Sequence, residues 1–225
     1  MSGSASWEPP IAYTGAITGY LVESALYCGY KALLDARKAR RIGPGEARRL
    51  TRRMLRALDS APNEGSWFAR TILVGELNGY PLIVSPDAIH FVNGRPHSVI
   101  KSRIRASLKH YESDWASLLL ASFILAAMYY SDRIVMTLVL AVNRDRLVEA
   151  LSFIKREGVK PARGDGWRVI TRIYDGEENL EVLRGALEVI VGEASPSYPP
   201  ASRCKPCHHR SYCPWRSIDE GVQRV

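Results

Sequence analysis

The chain has 225 residues, of which 46% are hydrophobic and 24% are charged, so it can bury a sizeable core and is not a disordered chain. Its four cysteines follow no secretory signal, because residues 1–10 lack an apolar stretch, and this favours metal ligation over disulfides. The formal net charge of +8 favours a polyanionic partner. We therefore expect a cytoplasmic protein that has no membrane association.

Two helices are predicted at the start of the chain. Residues 17–40 carry apolar side chains at helical spacing, and Cys28 falls on the same face. Gly43-Pro44-Gly45 ends this helix, and a second helix is expected over residues 46–58. The second helix has an apolar stripe on one side and a basic side that we call the arginine face: Arg48, Arg49, Arg52, Arg53 and Arg56.

The middle of the chain has the pattern of β-strands. Residues 71–77, 81–91 and 96–103 are rich in Ile, Val and Leu, and Asn-Gly pairs at 78–79 and 93–94 join them. Asn-Gly is a strong signal for a two-residue hairpin turn. These features predict an antiparallel meander of three strands.

The remaining pattern alternates helices and strands. We expect a buried helix over 111–130, too short for a membrane span, and a buried strand over 134–142. A helix over 144–156, a strand over 168–174 and a helix over 177–193 follow, and a proline-rich linker covers 195–202. The order of helix, meander, buried helix and strand is that of the restriction-endonuclease-like (PD-(D/E)XK) α/β core. We divide the chain into a nuclease-fold domain, 1–194, and a C-terminal cysteine segment, 195–225.

The cysteines are the most specific feature. Cys204, Cys207 and Cys213 lie within ten residues, and Cys28 is far away in the sequence. One interpretation is an iron–sulfur cluster held by all four thiolates, which would join the first helix to the tail. The alternative is a structural zinc site formed by the three C-terminal cysteines and His208 or His209. Spacing alone does not separate the two.

A lone cysteine on the first helix, a RecB-like body and the pattern Cys-x2-Cys-x5-Cys, followed by Pro214 and Trp215, resemble the fourth-numbered CRISPR-associated (Cas) family. The resemblance covers about residues 24–215. Members of that family are iron–sulfur, RecB-type exonucleases of spacer acquisition, a step of antiviral defence. The resemblance implies DNA, single-stranded or with free ends, and other CRISPR acquisition proteins as partners. It also implies a 4Fe-4S cluster on Cys28, Cys204, Cys207 and Cys213.

The same resemblance implies metal-dependent DNA hydrolysis. In the family, an aspartate and a Glu-x-Lys pair on adjacent strands hold Mg²⁺ or Mn²⁺, which polarises the phosphate and activates water. Asp87 has the position of the metal-binding aspartate, and Lys101 has the position of the catalytic lysine. Val99 stands where the family has its glutamate, and valine offers no oxygen ligand.

Other family positions also differ. Arg48 and Arg49 replace a histidine, residues 118–120 are leucines where a glutamine is expected, and Phe123 stands near a usual tyrosine. These differences predict weak or lost hydrolysis. Alternatively, Glu112 or Asp114 could supply the missing carboxylate and preserve an active exonuclease, so the sequence leaves the enzymatic status open.

The arginine face has few acidic residues near it in the sequence, and this favours phosphate contacts over surface ion pairs. Scarce glutamine, present once at Gln223, favours a heat-adapted source.

The leading hypothesis is a cluster-bearing DNA-binding protein of CRISPR spacer acquisition with a degenerate nuclease site. The alternatives are an active exonuclease that uses Mg²⁺ or Mn²⁺ and a zinc-binding interaction module.

Overall fold

The computed structural model describes residues 15–39, 42, 44–131, 133–196, 204–211 and 213. They form an α/β fold with two mixed β-sheets, as the sequence predicts at this level. The helices are α1 (Gly19–Tyr27), α2 (Gly29–Lys38), α3 (Pro44–Asp59), α4 (Ala116–Tyr129), α5 (Arg144–Glu157) and α6 (Gly176–Val191), with a 3-10 helix at Glu112–Trp115. The strands are β1 (Ile17–Thr18), β2 (Ser66–Ala69), β3 (Leu73–Leu77), β4 (Tyr80–Val84), β5 (Ala88–Val92), β6 (Arg95–Ile104), β7 (Val135–Ala141), β8 (Ala162–Gly164) and β9 (Trp167–Ile173).

The larger sheet has six strands in the order β2-β5-β6-β7-β9-β8. Its one parallel pair is β6 and β7, and α4 is the crossover between them; the other neighbours are antiparallel. The smaller sheet has the order β1-β4-β3, with β1 parallel to β4. A parallel pair needs such a crossover, because both of its strands run in the same direction.

The two predicted hairpin turns are confirmed. Asn78 and Gly79 have φ values of 52° and 77°, and Asn93 and Gly94 have values of 51° and 72°. Positive φ at both central residues defines the turn that matches the twist of an antiparallel pair. The turns connect β3 to β4 and β5 to β6.

The single strand predicted over residues 81–91 is wrong. The chain forms β4, leaves the small sheet at Ser85 and re-enters the larger sheet as β5. Pro86 has no amide hydrogen for a ladder bond, whereas the Asp87 amide donates to the Ile100 carbonyl at 3.0 Å. The predicted meander is therefore distributed over two sheets, and Asp87 lies at the bend between them.

Helices cover both faces of the larger sheet. Met136, Leu138 and Leu140 of β7 pack in the same core as α1, α4 and α6, whereas Val139 and Ala141 pack in a second core with α5. This division follows from the alternation of side chains along a strand. In the part of the chain that the structure describes, no helix is both long and apolar enough to cross a membrane.

Candidate functional site

Cys28 lies between two helices, so the single helix predicted over 17–40 is wrong. Its backbone is extended (φ −164°, ψ 116°), which ends α1 and starts α2. The Cys28 amide donates to the Ser24 carbonyl, and the Cys28 carbonyl accepts from the Ala32 amide, so each helix keeps its hydrogen bonds across the break. The thiol therefore occupies the N-cap position of α2, where backbone amides favour negative charge.

The structure brings Cys28 close to two C-terminal cysteines. Burial raises the pKa of the Cys28 thiol, the amides of Lys31 and Tyr30 act to lower it, and the thiols of Cys204 and Cys207 raise it further. Charge interactions weaken with distance, so this influence on Cys28 indicates that the two thiols lie near it. Cys207 also lines one cavity together with Tyr27 and Lys31, the neighbours of Cys28 on α1 and α2. The four cysteines are partly buried and none is in a disulfide, but the inclusion of Cys213 in the group stays a prediction.

A buried carboxylate, Asp35 of α2, holds the C-terminal segment against the helices. Its Oδ1 lies 2.7 Å from His209 Nε2, although the two residues are 174 positions apart. Its Oδ2 accepts hydrogen bonds from Ser24 Oγ at 2.7 Å and from Lys31 Nζ at 2.5 Å. Burial acts to raise the pKa of Asp35, but the bonds from Lys31, His209 and Ser24 outweigh it and hold the pKa at about 2.

This contact bears on the zinc alternative. His209 is buried and directs Nε2 to Asp35, and His208 Nε2 lies 3.6 Å from the same carboxylate oxygen. As long as that contact is kept, a zinc ion on the cysteines would have to bind the other ring nitrogen of His209, Nδ1. Sequence reasoning named both histidines but missed Asp35, whose only local signal is a single acidic residue in a basic helix.

Asp87 and Lys101 meet, as their proposed roles require. Lys101 Nζ lies 3.2 Å from Asp87 Oδ1, and the amide and hydroxyl of Ser102 donate to Asp87 Oδ2 at 2.7 and 2.5 Å. Burial acts to raise the pKa of Asp87, but Ser102 and Lys101 outweigh it and lower the pKa. The carboxylate is thus ionised and already bound by protein donors on both oxygens.

The other side chains of the predicted hydrolytic site have separate environments. Val99 is fully buried in the core beside α4. Glu112 forms a bidentate ion pair with Arg172, in which each carboxylate oxygen lies 2.8 Å from one terminal guanidinium nitrogen. This ion pair lowers the pKa of Glu112. Asp114 is buried, accepts from both terminal nitrogens of Arg105 and caps the 3-10 helix. The contacts described for Glu112 and Asp114 are therefore with arginines and the backbone, and none is with Asp87.

The arginine face is solvent-exposed on α3. Met54 and Leu58 on the opposite side are buried, as the stripe predicts. Among the described residues, the one salt bridge that an arginine of this face forms with an acidic residue joins Arg49 to Glu46 at 4.0 Å. Its arginines line an open groove of about 620 Å³: Arg49, Arg52, Arg53 and Arg56. Four cations along one groove produce a surface that attracts anions.

No family model and no curated protein matches this chain. Among solved structures, the chain is similar to one titled "Crystal structure of SSO0001". The two are 14% identical with a TM-score of 0.41, and the match covers 92% of this chain and 90% of that chain. A likeness at this level carries no argument about fold or function.

Proposed function

We propose that the protein binds DNA through α3, carries a 4Fe-4S cluster, and has a RecB-like nuclease fold in which hydrolysis is weak or lost. Its role would be to hold DNA ends or to scaffold other proteins during CRISPR spacer acquisition, as the family resemblance implies. The observation that carries the proposal is the packing of the C-terminal segment beside Cys28: His209 Nε2 lies 2.7 Å from Asp35 Oδ1 of α2, and Cys207 lines one cavity together with Ser24 and Lys31. A single cluster with ligands from both ends of the chain requires that packing, because each thiolate must reach the same inorganic core.

The donor set fits an iron–sulfur cluster. Thiolates are the ligands that such clusters prefer, and nearby backbone amides stabilise negative charge on the sulfurs. The amides of Tyr30 and Lys31 act on Cys28 in this sense. Cys28, Cys204, Cys207 and Cys213 would hold the cluster, which would fix the C-terminal segment to the junction of α1 and α2.

The strand order supports a nuclease-like core. The antiparallel strands β5 and β6 bring Asp87 and Lys101 together, and α4 then leads to β7, parallel to β6. This is the element order expected for the restriction-endonuclease-like fold. Hydrolysis would be weak because Val99 supplies no oxygen and because both oxygens of Asp87 already accept bonds from Ser102 and Lys101. A divalent ion would have to displace those donors from a single carboxylate.

The arginine face supplies the DNA contacts in this proposal. Guanidinium groups match phosphate oxygens in two-point hydrogen bonds, and these contacts do not depend on base sequence. Because each phosphate contact releases counterions, affinity should fall steeply as salt increases.

The experiment measures the affinity for labelled single-stranded DNA at several salt concentrations. Arg52→Ala/Arg56→Ala should weaken binding and reduce the log–log salt slope by roughly 1.5, since each lost contact removes about 0.7 to 0.9. The charge-matched control is Arg163→Ala/Arg184→Ala, at exposed positions on β8 and α6, which should bind like the original protein. Equal slopes for both double variants would refute the role of α3.

A second experiment measures the release of nucleotides from labelled DNA with Mn²⁺. If nucleotides are released and Asp87→Ala abolishes the release, the protein is an active exonuclease and the proposal of weak or lost hydrolysis is wrong.

A further inference from the structure

We propose that Asp35, His208 and His209 form a binding site for one divalent transition-metal cation, separate from the cysteine thiols. A ligand atom from each residue lies within 4.8 Å of the other two. His209 Nε2 and His208 Nε2 approach the same oxygen, Asp35 Oδ1, at 2.7 and 3.6 Å. Two imidazoles and one carboxylate oxygen therefore converge on one point.

The chemistry of these donors selects the class of cation. Imidazole nitrogen suits zinc, nickel, cobalt and ferrous iron, whereas magnesium and calcium prefer sites made of oxygen alone. Three protein ligands leave other coordination positions for water. We therefore exclude magnesium and calcium as occupants of this site.

The surroundings already orient the carboxylate. Lys31 and Ser24 donate to Asp35 Oδ2, so Oδ1 is the oxygen directed at the two histidines. Hydrogen bonds of this kind fix ligand orientation around metal ions in proteins. The ammonium group of Lys31 also competes for the charge of Asp35, and this sets an upper limit on affinity. Binding would replace the direct bond between His209 and Asp35 with two metal–ligand bonds.

The site can be reached from solvent. An open cavity of about 290 Å³ is lined by Ser24, Lys31, Cys207 and His208, among other residues. The His208 side chain is 57% exposed, whereas those of Asp35 and His209 are 6% and 1% exposed. A hydrated cation can therefore enter on the His208 side. The bound ion would join α2 to the C-terminal segment independently of the cysteines.

The test titrates Ni²⁺ into the protein, with its cysteine-bound metal intact, by isothermal calorimetry, and then measures nickel K-edge X-ray absorption. We expect one ion per chain with nitrogen and oxygen neighbours. His208→Ala, at an exposed position that should tolerate the change, is expected to weaken binding at least tenfold. His97→Ala is the matched control because His97 is exposed on β6. This variant should bind Ni²⁺ like the original protein.

Two results would overturn the proposal. One is unchanged Ni²⁺ affinity in His208→Ala, and the other is sulfur among the nickel neighbours, which would assign the ion to the thiols. Circular dichroism of each variant verifies that the fold is retained. The test rests on the proposed function in one respect, that the cysteines already hold their cluster, because free thiols would themselves bind Ni²⁺. Neither result depends on DNA binding or on nuclease activity.

Discussion

Asp35→Ala tests the link between the C-terminal segment and the helices. The substitution removes the acceptor of Ser24 and Lys31 and the partner of His209, groups that are largely or fully buried. Breaking a buried ion pair from one side typically costs about 3 to 5 kcal/mol, because the remaining groups lose their partner without regaining water. We expect a loss of about 3 kcal/mol, since Lys31 keeps its bond to Tyr20 Oη.

The assay is urea unfolding at pH 7 followed by circular dichroism, with limited trypsin digestion as a second readout. Arg210 is exposed in the segment that His209 anchors and is followed by Ser211, so cleavage after it should accelerate in Asp35→Ala. Asp165→Ala is the matched control, because the Asp165 side chain is 88% exposed and its pair with Arg146 lies on the surface. If the two variants differ by less than 1 kcal/mol, the contact with Asp35 does not anchor the segment.

Three further outcomes are expected. Burial and then His97 lower the pKa of His90 to about 4, so the stability contributed by the neutral His90 ring is complete above pH 6.5 and falls by about 3 kcal/mol between pH 6.5 and 4. His90→Asn should flatten that decline, and an unchanged pH profile would contradict this prediction. Gly29→Ala would place the new carbon 2.4 Å from a proline carbon and should lower the free energy of unfolding in urea by about 1 to 3 kcal/mol. Gly185→Ala, in open space on α6, should raise it by about 0.5 to 1 kcal/mol. Changes of the same sign in both variants would refute the close packing of Gly29. Val99→Glu should lower the melting temperature, because it buries a carboxylate. If position 99 faces the metal site, Mn²⁺ should restore part of the lost melting temperature in Val99→Glu, whereas Val139→Glu in the other core should show no such recovery.

Local patterns predict the fold where the chemistry is local. The apolar spacing of α3 and α5 and the Asn-Gly turns depend on neighbours in the sequence, and the structure confirms them. The short strands β2 and β8 were missed, because each has only three or four residues and depends on its partner strand for hydrogen bonds. Strands of this length carry little periodic signal.

Breaks in the backbone were harder to predict. The apolar spacing of residues 17–40 continues through Cys28, so periodicity alone suggests one helix. The close packing of Gly29 against Pro196, which a side chain at position 29 would obstruct, is a tertiary contact with no local signal. At the other break Pro86 did offer a signal, because a proline inside a strand marks an edge or an end.

The candidate sites divide in the same way. Asp87 and Lys101 could be paired from the sequence, because a two-residue turn fixes the register of β5 against β6. Asp35 and His209 could not, since 174 positions separate them and no strand ladder connects them. Long-range contacts of single side chains require the tertiary structure.

The iron, sulfide and zinc content of anaerobically purified protein, compared with that of Cys28→Ser, tests the central claim most directly. We expect four iron and four sulfide per chain, with the broad visible absorbance of a cluster, and the loss of both when Cys28 becomes serine. Zinc in the original protein that Cys28→Ser retains would contradict the four-thiolate cluster.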